Sequence, residues 1–418
     1  MKRKVFNDPV FGFISIPNDL IFEIIETPVF QRLRRIQQLG LTHLVYPGAL
    51  HTRFHHALGA MHLMEQAIEV IRSKGHKVTE EERFGAITAI LLHDIGHGPF
   101  SHALENSIIL GSNHEKISLT IMKHLNRLFD NNLDLAIEIF QGNYKKKYLR
   151  QLISGQLDMD RLDYLTRDSF FTGVSEGVIG TERILKMIDI HNNSVVIEEK
   201  GIYSIEKFLI ARQLMFWQVY LHKTAISAEV LLTKILQRAY YLSENGKDLP
   251  CTENLLPFLK NKITKKDFLE NTKYLDVFTR LDDFDVISSI KMWMNNKDFL
   301  LSKLSKNLIE RKLFKTVISE TELNNNKREK IKKYLSDKMK ISLSDVKYVF
   351  YSEPIISRVY DSKHNPINIL FKNNRIEDIS KASKTLRMGL LSTEITRHYI
   401  WFPKEFSDDI MKIIESDI

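Results

Sequence analysis

Ala89-Ile90-Leu91-Leu92-His93-Asp94 is a run of four apolar side chains that ends in an imidazole and a carboxylate. From Glu80 onward the apolar residues recur at helical spacing, so the run reads as a buried helix that ends in two ionisable groups. An unpaired carboxylate in such a place costs several kcal/mol, on the order of what threatens a fold. Two arrangements relieve that cost. His93 and Asp94 cap the helix end and pair locally, or a divalent cation takes imidazole and carboxylate together. The next residues, Ile95-Gly96-His97-Gly98-Pro99-Phe100-Ser101-His102, include two glycines and a proline that allow a sharp turn, and two more histidines.

Working outward, the histidine distribution favours the cation. Eleven of the fifteen histidines lie between His43 and His124, where an even spread would put about three. Imidazole is the commonest side-chain metal ligand and the usual acid–base group near neutral pH. The only cysteine is Cys251, so the cluster points to a catalytic rather than a cysteine-based structural metal site. Upstream, His51-Thr52-Arg53-Phe54-His55-His56-Ala57-Leu58-Gly59 supplies imidazoles near a helix start. Downstream, Asp158-Met159-Asp160-Arg161-Leu162-Asp163-Tyr164 puts acids on a helix, where Asp160, Tyr164 and Asp168 share a face at i, i+4 and i+8.

The rest of the chain sets limits. Its 418 residues suffice for a large core, and 43% hydrophobic with 27% charged residues excludes global disorder. The absence of any run of about 18 apolar residues or of a secretory signal, with a single cysteine, leads us to expect a cytoplasmic protein without a membrane span. The net charge of +8 favours anionic partners, although the lysine-rich runs fall on helix-like stretches and read first as solvated faces.

Helices are expected at Phe54–Ser73, Glu80–Leu92, His114–Phe129 and Asp158–Ser169, with starts at Asn18 and at Thr27-Pro28 ahead of Phe30–Leu39. A long helix is expected at Ser204–Ser243 after a hairpin at Ser194–Ile202. Beyond about residue 300, β-like runs appear at Lys312–Ile318, Lys347–Tyr351 and Ile367–Phe371, with a closing helix at Pro403–Ile414. The fold class expected is mainly α, with a helical core at 1–300 and a smaller α+β region at 301–418.

The order H…HD…D resembles the HD-domain superfamily of metal-dependent phosphohydrolases. More closely, the chain resembles its deoxynucleoside triphosphate triphosphohydrolases, the branch with bacterial dGTPase-like enzymes and the mammalian SAM-and-HD-domain enzyme. The matching segments are FNDPVFGFISIP, TPVFQRLRRIQQLGLTHLVYPGALHTRFHHALG, LLHDIGHGPFSHALE, NHEKIS, DMDRLDYLTRDSFFTG and Arg212 with Tyr220-Leu221-His222-Lys223. They run in family order over roughly residues 4–225.

The resemblance implies the metal ligands His56, His93, Asp94 and Asp160, holding Mn, Mg, Fe, Zn or Ni. His56 is chosen over His55 because it precedes Ala-Leu-Gly as the family's ligand precedes Ser-Leu-Gly. His102 and Glu105, at i and i+3, would activate water. His97 and His114 would serve the α-phosphate as cations or hydrogen-bonding groups, with His114 a candidate to protonate the leaving 5′-oxygen. Arg53, Arg161, Arg212 and Lys223 are the polyphosphate candidates. Gln38, Leu39, Tyr164, Asp168 and Tyr220 would hold the deoxyribose.

The substrate implied is a deoxynucleoside triphosphate, cleaved to deoxynucleoside and inorganic triphosphate by a homo-oligomer, dimer or tetramer. Lys4, Val5, Asn7, Gln31 and Arg34 match part of a regulatory-nucleotide pattern, from which Glu26 and the acidic stretch Val195–Lys200 depart. Two other readings remain open. One is an HD phosphohydrolase of another nucleotide or phosphoester, and the other is a nucleic-acid-binding HD module without turnover.

Overall fold

A computed structural model describes residues 4–101, 113–261, 263–384 and 393–416. The chain opens with the antiparallel strands β1 (Val5–Asp8) and β2 (Gly12–Ser15). Helix α1 (Asp19–Glu26) follows, its first turn capped by the Asn18 side chain, which accepts the Ile21 N–H. Thr27 caps the next helix in the same way, but that helix spans only Pro28–Gln31 and tightens into a 3-10 turn at Arg32–Arg35. The helix expected to continue to Leu39 therefore stops early. Ile36 turns extended and Gln37 forms a β-bridge with Thr52.

The central helices are α2 (Arg53–Ser73), α3 (Glu80–Leu92), α4 (His114–Leu128) and α5 (Met159–Thr172). All four expected helices are present, within three residues at each end. Gly59 explains how α5 can lie so close to α2: a Cβ there would fall 1.8 Å from Asp163 Oδ1 and 2.2 Å from an Arg167 nitrogen. Gly96 does the same for α4, because a Cβ would fall 2.2 Å from the Ser118 nitrogen. The two glycines set the close approach that the site requires.

The hairpin lies earlier than expected. Strands β3 (Ile188–His191) and β4 (Ser194–Glu198) are joined by Asn192-Asn193, both left-handed with φ of 48° and 62°. The long helix expected at Ser204–Ser243 is two helices, α6 (Ile202–Met215) and α7 (Lys223–Glu244), separated by a π-helical turn at Phe216–Tyr220. His222 leaves the helical region, and its side chain accepts the Thr224 N–H to start α7.

Later strands are β5 (Lys315–Ser319), β6 (Tyr351–Ser357), β7 (Asn368–Leu370), β8 (Ile376–Asp378) and β9 (Ile395–Phe402). The β-like run at 347–351 opens in a 3-10 turn, Asp345–Tyr348, and β6 begins only at its last residue. The sheets are β1-β2, β3-β4-β7-β8 and β5-β9-β6. The pair β4–β7 is parallel and joins a strand before residue 300 to one after it, while residue 300 itself lies inside the helix Phe299–Ile309. One apolar core runs from Ile14 to Ile410. Among the described residues no helix is long and apolar enough to cross a membrane.

Candidate active site

Three helix ends meet. The first turn of α2 brings His56, the C-terminal end of α3 brings His93 and Asp94, and the first turn of α5 brings Asp160. His56 Nε2 stands 3.2 Å from Asp160 Oδ1 and 3.8 Å from Asp94 Oδ2. His93 Nε2 stands 3.4 Å from Asp94 Oδ1 and 3.6 Å from Asp160 Oδ1. His55 faces elsewhere, with its Nδ1 accepting the Thr52 N–H as part of a capping box.

The ring nitrogens show what the site is built to hold. His56 Nδ1 donates to Asp163 Oδ2 at 2.6 Å, and His93 Nδ1 donates to the Ile90 carbonyl at 2.6 Å. Both tautomers are thereby set, with Nε2 as the lone-pair nitrogen. These two Nε2 atoms are buried and make no hydrogen bond. Orphaned imidazole nitrogens facing two carboxylates fit a divalent cation. With no cation, burial would lower the His56 pKa, but the Asp160 and Asp163 carboxylates beside the ring outweigh it and hold His56 up at about 10. Asp94 is buried too, yet His93, His97 and Arg53 keep it well below the usual carboxylate range.

Ligand atoms of His56, His93 and Asp160 lie within 4.8 Å of one another, as do those of Asp94, His97 and His114. Asp94 Oδ1 is 3.4 Å from His97 Nε2, and the rings of His97 and His114 stack at 4.0 Å. Burial, and next the charge of Arg53, push His97 well below its ordinary pKa. His102 and Glu105 lie outside the described residues.

Arg53 pairs with Asp94 through Nη1 and donates from Nε to Ser101 Oγ at 2.9 Å. Arg161 pairs with Asp158 at 2.5 Å, and Arg212 donates to Gln156 at 2.8 Å. Both guanidinium groups act electrostatically on Tyr164. Tyr220 donates its hydroxyl to Asp168 Oδ2 at 2.8 Å, and its ring meets the edge of Tyr164 at 6.1 Å. The side-chain oxygen of Gln38 is buried and has no partner, while its N–H donates to the His51 carbonyl at 3.0 Å. Leu39 packs half-buried beside it. Of the regulatory pattern, Gln31 and Arg34 bond to each other at 2.8 Å.

Two supporting groups escaped the sequence reading. His51 Nε2 bonds Asp168 Oδ1 at 2.7 Å, which leaves Asp168 held between an imidazole and a phenol. Asp163 orients His56 and is itself held by Arg167 at 2.9 Å, and Arg167 continues to Asp8 at 2.7 Å. The one signal in the sequence was an Asp–Arg pair at i, i+4 on a helix that is otherwise half apolar.

Two imidazoles and two carboxylates on converging helix ends define a helical metal-centred hydrolase. The comparisons agree. Residues 53–168 match the HD domain family, and residues 179–248 match the HD associated region. An uncharacterized Bacillus subtilis protein, YwfO, is 32% identical over 98% of this chain and 94% of its own length. The crystal structure of a phosphohydrolase from Bacteroides thetaiotaomicron superposes with a TM-score of 0.93 at 46% identity, covering 96% of this chain and all of the other. A Dictyostelium discoideum homolog of the deoxynucleoside triphosphate triphosphohydrolase SAMHD1 is 31% identical over 257 residues, 56% of this chain and 49% of that protein. The chain belongs to the HD-domain family of phosphohydrolases.

Proposed function

We propose that this protein hydrolyses deoxynucleoside triphosphates to deoxynucleoside and inorganic triphosphate. The observation that carries the reading is the pair of groups on one face of α5: Asp160 among the cation ligands, and Asp168 two turns on, bonded to Tyr220 and His51. Eight helical residues span about 12 Å, the scale of a phosphate and its sugar. A carboxylate suits a 3′-hydroxyl. A tyrosine ring against C2′ leaves no room for a ribose hydroxyl, which would also lose its water partners there. Relatives named as deoxynucleoside triphosphate triphosphohydrolases are 31% and 28% identical, each over 56% of the chain.

A divalent ion held by His56, His93, Asp94 and Asp160 would supply Lewis-acid charge at the α-phosphoryl group. The chain's own groups do the rest. Arg161 and Arg212 offset the triphosphate charge. His97 hydrogen-bonds the α-phosphate, and His102 with Glu105 takes a proton from the attacking water. The new bond joins water oxygen to the α-phosphorus, the bond to the 5′-oxygen breaks, and His114 protonates that oxygen. Burial holds the Tyr220 pKa well above its ordinary value, so its hydroxyl remains a donor to Asp168.

The test is kcat/KM for matched dNTP and NTP pairs, with the phosphate product identified. The expected result is triphosphate release and a preference for dNTPs of about tenfold or more, relaxed in Tyr220→Ala. Equal rates on ribo- and deoxyribonucleotides in the unmutated protein would sink the substrate assignment.

A further inference from the structure

Leu281-Asp282-Asp283 lies beyond both family-matched segments, yet it reaches both sides of the site. Asp283 opens helix α8 (Asp283–Trp293) and is buried. Its Oδ2 accepts the Gln37 N–H at 2.8 Å and its Oδ1 accepts the Phe100 N–H at 2.8 Å. Gln37 precedes Gln38 and Leu39, the residues facing the sugar in the reading above. Phe100 lies in the turn after His97, held left-handed at φ 53°. Ser101, next in that turn, donates to the Gln37 carbonyl at 3.2 Å and receives Arg53 at 2.9 Å.

Arg32 repeats the link from the other side. Fully buried, it donates to the carbonyls of Leu281 at 2.7 Å, His97 at 2.5 Å and Ile95 at 3.3 Å. Asp282 pairs with Arg35 at 2.5 Å.

Ordinary helix capping does not account for Asp283. Asp282 already fills that role, accepting the N–H groups of Phe284 and Asp285 at 3.0 and 3.4 Å. Burial pushes the Asp283 pKa up to about 7, against the pull of the Gln37 and Phe100 N–H groups. A carboxylate kept in so unfavourable a place, with each oxygen on a different segment of the site, is spent on geometry. A shift of about 1 Å between reacting groups can cost on the order of 10²-fold in rate.

We infer that Asp283 is a positioning residue that clamps the sugar-facing segment 37–39 to the turn 97–101 and so fixes the spacing between sugar and α-phosphate. The inference rests on the proposed function for what those segments face.

The test is Asp283→Asn, which keeps the volume but turns an amide donor toward one of the two N–H groups. Three quantities are measured: hydrogen exchange of peptides covering 36–39 and 98–101, bound metal, and steady-state hydrolysis of a dNTP. The expected result is exchange about tenfold faster in those two segments only, metal content unchanged, and kcat falling about 10- to 100-fold with a smaller change in KM. Unchanged exchange in both segments overturns the clamp, as does a uniform rise across the chain, which marks general destabilisation. Local exchange that rises while dNTP turnover stays native overturns the positioning role. If Asp283→Asn does not fold, Asp283→Glu keeps the charge, displaces the acceptors by one methylene and is read the same way. A wild-type protein that hydrolyses no dNTP overturns the proposed function instead, and the exchange arm, which needs no substrate, still decides whether Asp283 holds the two segments.

Discussion

At His56 and His93 one ring nitrogen is already committed, to Asp163 and to the Ile90 carbonyl, so the other is left pointing at Asp94 and Asp160. The arrangement predicts a graded series. His93→Ala and Asp160→Ala each remove a ligand and should lose bound metal and activity together. Asp163→Asn keeps all four ligands but loosens the His56 ring, and should weaken metal affinity about 10- to 100-fold. Elemental analysis after dialysis checks all three, and full occupancy in the two ligand variants would overturn the site. The sequence made His93 and Asp94 legible because charged groups stood where a buried helix should be apolar, whereas His56 and Asp160 were marked as ligands by the family resemblance. It hid His51, Asp163 and Asp283, whose work depends on partners 107 to 246 residues away. No local spacing encodes such a meeting.

Helix α3 shows which elements could be read in advance. Thr79 accepts the Glu82 N–H at 3.1 Å and Glu82 accepts the Thr79 N–H at 2.8 Å, a capping box visible in the sequence as Thr-x-x-Glu. The helix runs as expected from Glu80 to Leu92. The short helix at 28–31 and the π turn at 216–220 were not legible. Arg32 is drawn to carbonyls 63 to 249 residues away, and local propensity yields to those partners. Glu82 also receives Tyr144 and Lys146, each at 2.7 Å. Burial alone would raise its pKa, but Lys146, Tyr144 and the Thr79 N–H together hold it at about 2. A depressed carboxyl pKa gives stability that is full above the unfolded value near 4.5 and is lost as pH falls toward 2. Glu82→Gln should therefore destabilise by about 1–2 kcal/mol at pH 7, after allowance for solvent screening. Urea unfolding of both proteins from pH 7 to pH 3 should show the difference shrinking below about pH 4.5. A difference independent of pH would mean that the charge contributes nothing.

Across the whole molecule, the change in texture near residue 300 is not matched by a gap in the packing. β7 extends the sheet begun by β3 and β4, and the Phe314 carbonyl accepts the Ser227 hydroxyl of α7 at 2.9 Å. Arg238, also on α7, pairs with Asp298 at 2.6 Å and with Asp345 at 2.7 Å, one carboxylate on each side of residue 300. Tyr360, Ile369, Trp401 and Phe402 are fully buried in the same apolar core as α2 and α3. Each large side chain buried this way contributes about 1.5–3 kcal/mol, and four of them rival the roughly 5–15 kcal/mol by which whole domains are stable. Cutting the chain after residue 300 would also leave β4 with an open edge and Arg238 without one of its two acids. The fragment 1–300 should therefore lose its cooperative transition and aggregate, while the full chain unfolds in a single step. Calorimetry of the two proteins, with hydrogen exchange on α7 and β4, makes the comparison. A fragment that melts cooperatively near the temperature of the full chain, with α7 and β4 equally protected, would establish 1–300 as an independent folding unit and 301–418 as an addition to it.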